Sequence, residues 1–359
     1  MLRTRRHRIG CLLGVLGLLT IVEPAFTQDS YAVIDVATLE QAGGGMVRGM
    51  SIAGEIVGTA RSRSGKRGFR LGARESSTPT ERLDGFLGSD GSAANAINEL
   101  GAVAGASNTA VAIRAFRWTR IGGFSDLGTL PGDSSSEAWG INRHNDVVGY
   151  SSGPGGIEAV FWERNGSIQA LGRLRDGDYS RAYAVNERGD VVGTSGQAGF
   201  TRAFLWTHMN AMEDLGAITG DDQSFATGIN NAGQVVGYSS GALGESAFLW
   251  SRNNGMVNLG TLPGGEHSRA LAINEPGDVV GTSDSPAGIR AVLWTRAGEM
   301  QDLNALIPAG RGFVLTEAVS INNRGLILAI GHSDDGAGVE PGHEPGGHEA
   351  PTRVFLLVP

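Results

Sequence analysis

Residues 226–239, Ala-Thr-Gly-Ile-Asn-Asn-Ala-Gly-Gln-Val-Val-Gly-Tyr-Ser, followed by Ala247-Phe248-Leu249-Trp250, decide the fold, because this stretch recurs along the chain. The Ile-Asn or Val-Asn pair ends at Asn98, Asn142, Asn186, Asn230, Asn274 and Asn322; the first four intervals are 44 residues and the last is 48. Trp118, Trp162, Trp206, Trp250 and Trp294 keep the same step. Asp126-Leu127, Asp214-Leu215 and Asp302-Leu303 form a third landmark, with Ala170-Leu171 and Asn258-Leu259 as variants. A fixed period of this size marks a repeat architecture in which each copy is one supersecondary unit.

One module reads as four short strands, at 226–230, 234–239, 247–250 and 256–260. The second and third are apolar at odd and even positions alike, as a sheet covered on both faces requires. Four strands in about 40–45 residues is the size of a propeller blade. Between the first two strands, Asn-x-x-Gly predicts a turn. The Asn side chain hydrogen-bonds backbone two residues on, and Gly accepts positive φ without steric cost. One copy has Asn145 in place of this Gly, and Asn is the other residue that tolerates left-handed backbone. The long connections are expected between second and third strands (239–246) and between fourth strand and next module (261–268), together on one face.

The two ends complement each other. The chain opens, after its leader, with a fourth-strand sequence at 31–39 and closes with a third-strand sequence at 353–357. A degenerate first module fills 46–87, with strands read at 51–58, 68–71 and 83–87. The expectation is an all-β, closed β-propeller of about seven four-stranded blades, the ring closed by the N-terminal strand. Closure leaves no sheet edge unpaired.

Composition agrees. The 359 residues include 57 Gly and are 40% hydrophobic, which suits many short strands joined by tight turns. The net charge of -8 and the lack of a basic block past the N-terminus argue against nucleic acid as a partner. Residues 1–27, with Arg3, Arg5, Arg6 and Arg8 before an apolar run at 9–22, read as an export signal. Residues 28–359 are then a single secreted or periplasmic domain without a membrane span. The lone Cys11 lies in the leader, so no disulfide framework is expected. Residues 331–352, rich in Gly, Pro, His and acid, read as a flexible insert.

Taken together, Ile-Asn-x-x-Gly-x-Val-Val-Gly, the Ala-Phe-Leu-Trp block at 203–206 and the Leu-Gly-Thr-Leu-Pro-Gly runs within 126–132 and 259–265 resemble the HAF-repeat family of probable extracellular proteins. The resemblance covers nearly the whole chain after the leader. It implies export and a propeller-like fold, and it brings no established activity.

Candidate chemistry lies in the variable loops, which are where scaffolds carry function. Trp139 stands in the first strand where other modules have Tyr183, Thr227 or Leu271, so it is not a framework position. Arg181 and Arg269 occupy one module position, which Glu137 and Phe225 fill elsewhere. Asp176, Asp178, Asp221 and Asp222 lie in equivalent inter-module loops, and His267 lies in another. These eight are the candidate ligand contacts. No Asp-x-Asp-x-Asp-Gly loop is present, the histidines lack ligand spacing, and Gly-Pro-Gly-Gly at 153–156 does not lead a strand into a helix. No metal, no cofactor and no catalytic residue is therefore expected. Ser92, Ser136, Ser180, Ser224 and Ser268 repeat in register and read as structural hydroxyls. Three functions stay open: a binding scaffold for an extracellular glycan or protein, a propeller-class polysaccharide hydrolase or lyase, and a structural cell-surface protein.

Overall fold

The computed structural model describes residues 30–38, 45–62, 65–72, 81–86, 89, 91–175, 177–197, 199–334 and 352–359. The expected leader and residues 335–351 of the expected insert lie outside them.

The regular structure of the described residues is strand, apart from one short 3-10 helix, Leu303–Leu306. No helix among them is long and apolar enough to cross a membrane. The strands form five four-stranded sheets and one of eight, in which a single pair, Ile157 with Tyr179, bridges two four-stranded units. Each unit runs antiparallel from an inner strand outward. The inner strands are Gly45–Met50, Ser92–Ile97, Ser135–Ile141, Tyr179–Val185, Asp221–Ile229, Ser268–Ile273 and Phe313–Ile321. Each inner strand contacts the next, and the last contacts the first. In the unit begun by Phe313–Ile321, the outermost strand is the N-terminal Ala32–Thr38, paired with Arg353–Val358. Tyr31, 2% exposed, packs with Leu303, Leu315 and Phe355, and its N–H donates to the Leu306 carbonyl at 2.7 Å.

Three expectations need correction. Second and third strands do not bound a long loop at 239–246. Val235–Gly241 and Gly244–Ser251 pair without a break through Ser239 with Ser246 and Gly241 with Gly244, closing in a two-residue hairpin. Ser and Gly there suggest a loop, but Gly244 at φ 109 supplies the reversal and the ladder continues to it. In the first unit the strands are Gly45–Met50, Ile56–Ser62, Gly65–Leu71 and Glu81–Leu83, so Ser51 begins a turn and the fourth strand ends where it was expected to start. The insert starts later than 331, because Ile327–Ser333 is strand.

The units are tied by buried polar side chains. Asn142, Asn186, Asn230 and Asn274 are each under 5% exposed. Asn230 Oδ1 accepts from the Gln234 N–H at 3.0 Å, which holds its own turn. Its Nδ2 donates to the Asn274 carbonyl of the next unit at 3.2 Å. Asn98 reaches Asn142, Asn142 reaches Asn186 and Asn186 reaches Asn230 in the same way. Asn322 donates to the carbonyl of Ser51, joining the last unit to the first at 3.1 Å. The repeated serines act likewise: Ser180 Oγ accepts from the Ala159 N–H at 2.8 Å and donates to the Gly172 carbonyl at 2.7 Å, both in the preceding unit. The turn glycines have positive φ, and Asn145, at φ 66, takes the same left-handed form.

Between units lie apolar layers. Trp118, Trp162, Trp206, Trp250 and Trp294 are all at most 7% exposed. Trp206 packs against Val148, Phe161 and Leu171 of the preceding unit. Gly237 explains the glycine of Val-Val-Gly: a Cβ there would lie 1.9 Å from the Phe225 carbonyl of the inner strand.

Two outcomes follow from this packing. Trp206→Ala is expected to cost about 3–5 kcal/mol in chemical denaturation, whereas an exposed indole would cost almost nothing. Deleting residues 28–40 removes the outermost strand of the last unit, so the melting temperature should fall by several degrees; an unchanged melt would show that the pairing adds no stability.

Candidate functional site

Every inner strand carries a register shift at the same place, three residues before the recurrent Asn or its counterpart Ser51; Asp221–Ile229 and Phe313–Ile321 carry a second one nearer their starts. The shifts fall between Val47 and Gly49, Ala94 and Ala96, Ala138 and Gly140, Ala182 and Ala184, Ala226 and Gly228, Ala270 and Ala272, and Ala318 and Ser320. A bulge leaves one residue unpaired and re-aims its side chain. The residues at these seven bulges are Arg48, Asn95, Trp139, Tyr183, Thr227, Leu271 and Val319. Their neighbours on either side in the alternating pattern, one and five residues before the Asn, share their face of the strand.

That face therefore presents three rows along the space enclosed by the inner strands. Next to the Asn turns, the row is Met50, Ile97, Ile141, Val185, Ile229, Ile273 and Ile321, apolar throughout. The bulge row is mixed. The third row, toward the two-residue hairpins, is Met46, Ala93, Glu137, Arg181, Phe225, Arg269 and Glu317. The inward rows thus run from apolar beside the Asn turns to charged toward the hairpins.

The charged end is organised by guanidinium groups lying over rings. Arg48 lies 5.1 Å from the Trp139 ring centroid, Arg181 5.3 Å from Tyr150 and 5.8 Å from Tyr179, and Arg269 4.8 Å from Tyr238. Tyr238 stacks on Phe225 at 4.8 Å, and Trp139 meets Tyr183 edge-on at 5.8 Å. Such contacts add about 0.5–1 kcal/mol each at exposed sites, and they fix where the charges stand. Arg269 is also paired with Glu245, Nη2 to Oε1 at 2.6 Å, and this hydrogen bond raises its pKa. Tyr150 donates to Glu137 Oε2 at 2.5 Å. Burial, then that bond to a carboxylate, pushes the Tyr150 phenol up. Burial also pushes the half-buried Glu317 carboxyl above the ordinary range, against the opposing pull of Arg48 and Arg269.

Of the sequence candidates, Trp139, Arg181 and Arg269 belong to this face. Asp178 is exposed in the connection that leads to it, and Asp222 is exposed at the shifted start of the strand Asp221–Ile229. The Asp222 carbonyl accepts from Arg202. Asp221 is seated against the hairpin, where a Cβ on Gly241 would meet its Oδ1 at 2.4 Å. His267 Nδ1 lies 3.4 Å from the Glu245 N–H, at the rim. Asp176 lies outside the described residues. No cluster of three or more His, Cys, Asp or Glu able to hold a metal ion occurs among the described residues. His144 and His208, which look scattered in sequence, share a cavity of about 430 Å³ with Asp146 and Glu163. Sequence reasoning did not nominate Arg48, Glu137, Tyr150, Tyr183, Tyr238, Glu245 or Glu317. Counting back three and five residues from each Asn finds Glu137, Tyr183 and Glu317. Arg48 is hidden because Ser51 replaces the landmark Asn in the first unit.

No family model and no curated protein matches the chain. The likeness to HAF-repeat proteins thus rests on the quoted motifs alone. Solved structures do match. Virginiamycin B lyase from Staphylococcus aureus is 11% identical, with 91% of this chain and 99% of that chain covered and a TM-score of 0.54. The β-propeller domain of the Trilobed protease from Pyrococcus furiosus, described as having an open velcro topology, is 8% identical, with coverages of 87% and 93% and a TM-score of 0.53. An acylaminoacyl peptidase is 10% identical, with coverages of 90% and 53% and a TM-score of 0.55. At these identities the likeness speaks to fold alone: the chain is all-β and of propeller type.

Glu317 gives the site a pH signature. Its folded-state pKa is raised, so its contribution to stability is complete below the usual value of 4.5 and is lost as pH rises through the folded value. Glu317→Gln should match the wild-type melting temperature near pH 4 and exceed it increasingly toward pH 7. A difference that does not vary with pH would show that burial of this carboxylate costs nothing.

Proposed function

We propose that the chain is an exported, non-catalytic binding module. In this reading residues 28–359 form one closed seven-bladed propeller, completed by the N-terminal strand, which works in the periplasm or outside the cell. Its ligand, a glycan or a protein, enters the central space at the charged end. The observation that carries this reading is where the repeat varies. The Asn, Ser, Trp and Gly positions recur from unit to unit, whereas the seven bulges hold seven different residues: Arg48, Asn95, Trp139, Tyr183, Thr227, Leu271 and Val319. A repeat that holds its framework constant and varies one inward row builds an asymmetric surface on a symmetric scaffold. Arg, Tyr and Trp, which fill the charged end, are the residue types that most often dominate binding energy.

Recognition also fits the state of the carboxylates better than turnover does. Glu137 is engaged by Tyr150 and Glu245 by Arg269. Groups so held fix a partner's orientation, whereas a general acid or base must exchange its proton freely.

The test is a glycan array probed with the chain lacking its leader, as wild type and as the double variant Arg181→Ala, Arg269→Ala. The wild type should retain a subset of glycans unchanged in mass. The double variant should lose that subset while melting within a few degrees of wild type. Retention that survives the substitutions, or release of a cleaved product, would refute the proposal.

A further inference from the structure

We propose that the cavity beside Trp139 is a subsite for a carboxylated sugar ring, so that the ligand is an acidic polysaccharide. This rests on the binding role proposed above and gives it a substrate class. The cavity, about 420 Å³, opens among the first three units and is lined by Arg48, Arg61, Lys66, Asn95, Glu137 and Trp139. It exists because the third row carries only Ala93 in the second unit, where other units place Glu137, Arg181, Phe225, Arg269 or Glu317. A volume of this order is that of an ordinary small-ligand site, about 300–1,000 Å³.

Its charge is the unusual feature. In a chain of net charge -8, three cations meet here with one carboxylate, and one of them is Lys66, the only lysine in the sequence. Arg61 and Lys66 are directly opposite each other across the hairpin of the first unit. Like charges placed so repel and cost stability. The ion pairs among the described residues include neither Arg61 nor Lys66. A ligand carboxylate between them would relieve that repulsion, and charge-assisted hydrogen bonds are the strong ones.

The remaining groups ask for more than a bare anion. Glu137 already accepts from Tyr150 and Asn95; its remaining lone pairs suit hydroxyl donors, and its charge keeps a ligand's anionic group on the Arg61–Lys66 side. Trp139 lines the cavity with its indole, whose N–H is buried without an acceptor among the described residues. Asn95 is fixed by donating to the Ala138 carbonyl at 2.9 Å, which leaves its Oδ1 to face a donor. Cations for one carboxylate, acceptors for hydroxyls and an indole for the ring together describe a uronic acid residue. A neutral sugar leaves the Arg61–Lys66 pair unanswered, and an inorganic anion makes no use of the Trp139 indole.

Isothermal titration calorimetry of the chain lacking its leader decides this, with hexamers of galacturonate, glucuronate and mannuronate, their methyl esters, and inorganic polyphosphate as probes. At least one acidic hexamer should bind about tenfold or more tighter than its ester, with affinity falling as salt is raised. Arg61→Ala, Lys66→Ala should remove that preference without lowering the melting temperature, because both side chains are exposed. Binding of no acidic hexamer, equal binding of acid and ester, or polyphosphate competing as well as the best hexamer would each overturn the inference. A neutral glycan whose retention is lost in Arg181→Ala, Arg269→Ala but untouched in Arg61→Ala, Lys66→Ala would overturn it too, while leaving the binding role in place.

Discussion

The structure depends on one requirement: the amide of a buried asparagine must be satisfied on both sides. A polar group taken from water without partners costs roughly 1–3 kcal/mol in proteins. In Asn186 the oxygen accepts from Arg188 and Asp190 N–H groups in its own turn, and the nitrogen donates to the carbonyl of Asn230 in the next unit. One residue thereby sets a turn and a unit-to-unit distance together. Serine does the same at the opposite end of the inner strand, where Ser224 Oγ bridges the Ala203 N–H and the Gly216 carbonyl. Apolar burial supplies most of the driving force between units, but it is non-directional. The polar ties fix the angle at which each unit meets the next.

This division of labour leaves the inward row free to vary. Five of the seven inner strands are held at their two ends by Ser and Asn, and the middle of the strand is pressed against a glycine, as Phe225 is against Gly237. The bulge between them contributes little to the ladder, so its side chain can be indole, amide, guanidinium or isobutyl at small cost to the fold. The apolar row beside the Asn turns narrows the space at that end with Ile97, Ile141, Ile273 and Ile321. Beyond that row, Glu99, Arg143 and Glu187 line a smaller cavity at the Asn-turn end, whereas the guanidinium-over-ring contacts lie toward the hairpins.

Much of this is legible in the sequence, for reasons tied to particular residues. The 44-residue step of Asn and Trp, the left-handed position shared by Gly233 and Asn145, and the complementary ends are all local or periodic signals. The second-to-third-strand hairpin is not legible, because Ser239 and Ser240 read as loop residues although they pair in register with Ser246 and Glu245. The charged end is only partly legible. Trp139, Arg181 and Arg269 stand out by breaking the repeat. The contact of Arg48 with Trp139 and the influence of Arg48 on Glu317 join units far apart in sequence and depend on the order of the inner strands in space. The second role of Asn is hidden for the same reason: its cross-unit acceptor is 44 residues away.

The central claim is that the buried asparagines join units as well as shaping turns. Peptide-resolved hydrogen exchange on Asn230→Ala tests it directly. The expected result is lost protection both in 221–251 and in the neighbouring unit at 268–294, whose Asn274 carbonyl loses its donor. Lost protection confined to the turn at 230–234 would contradict it.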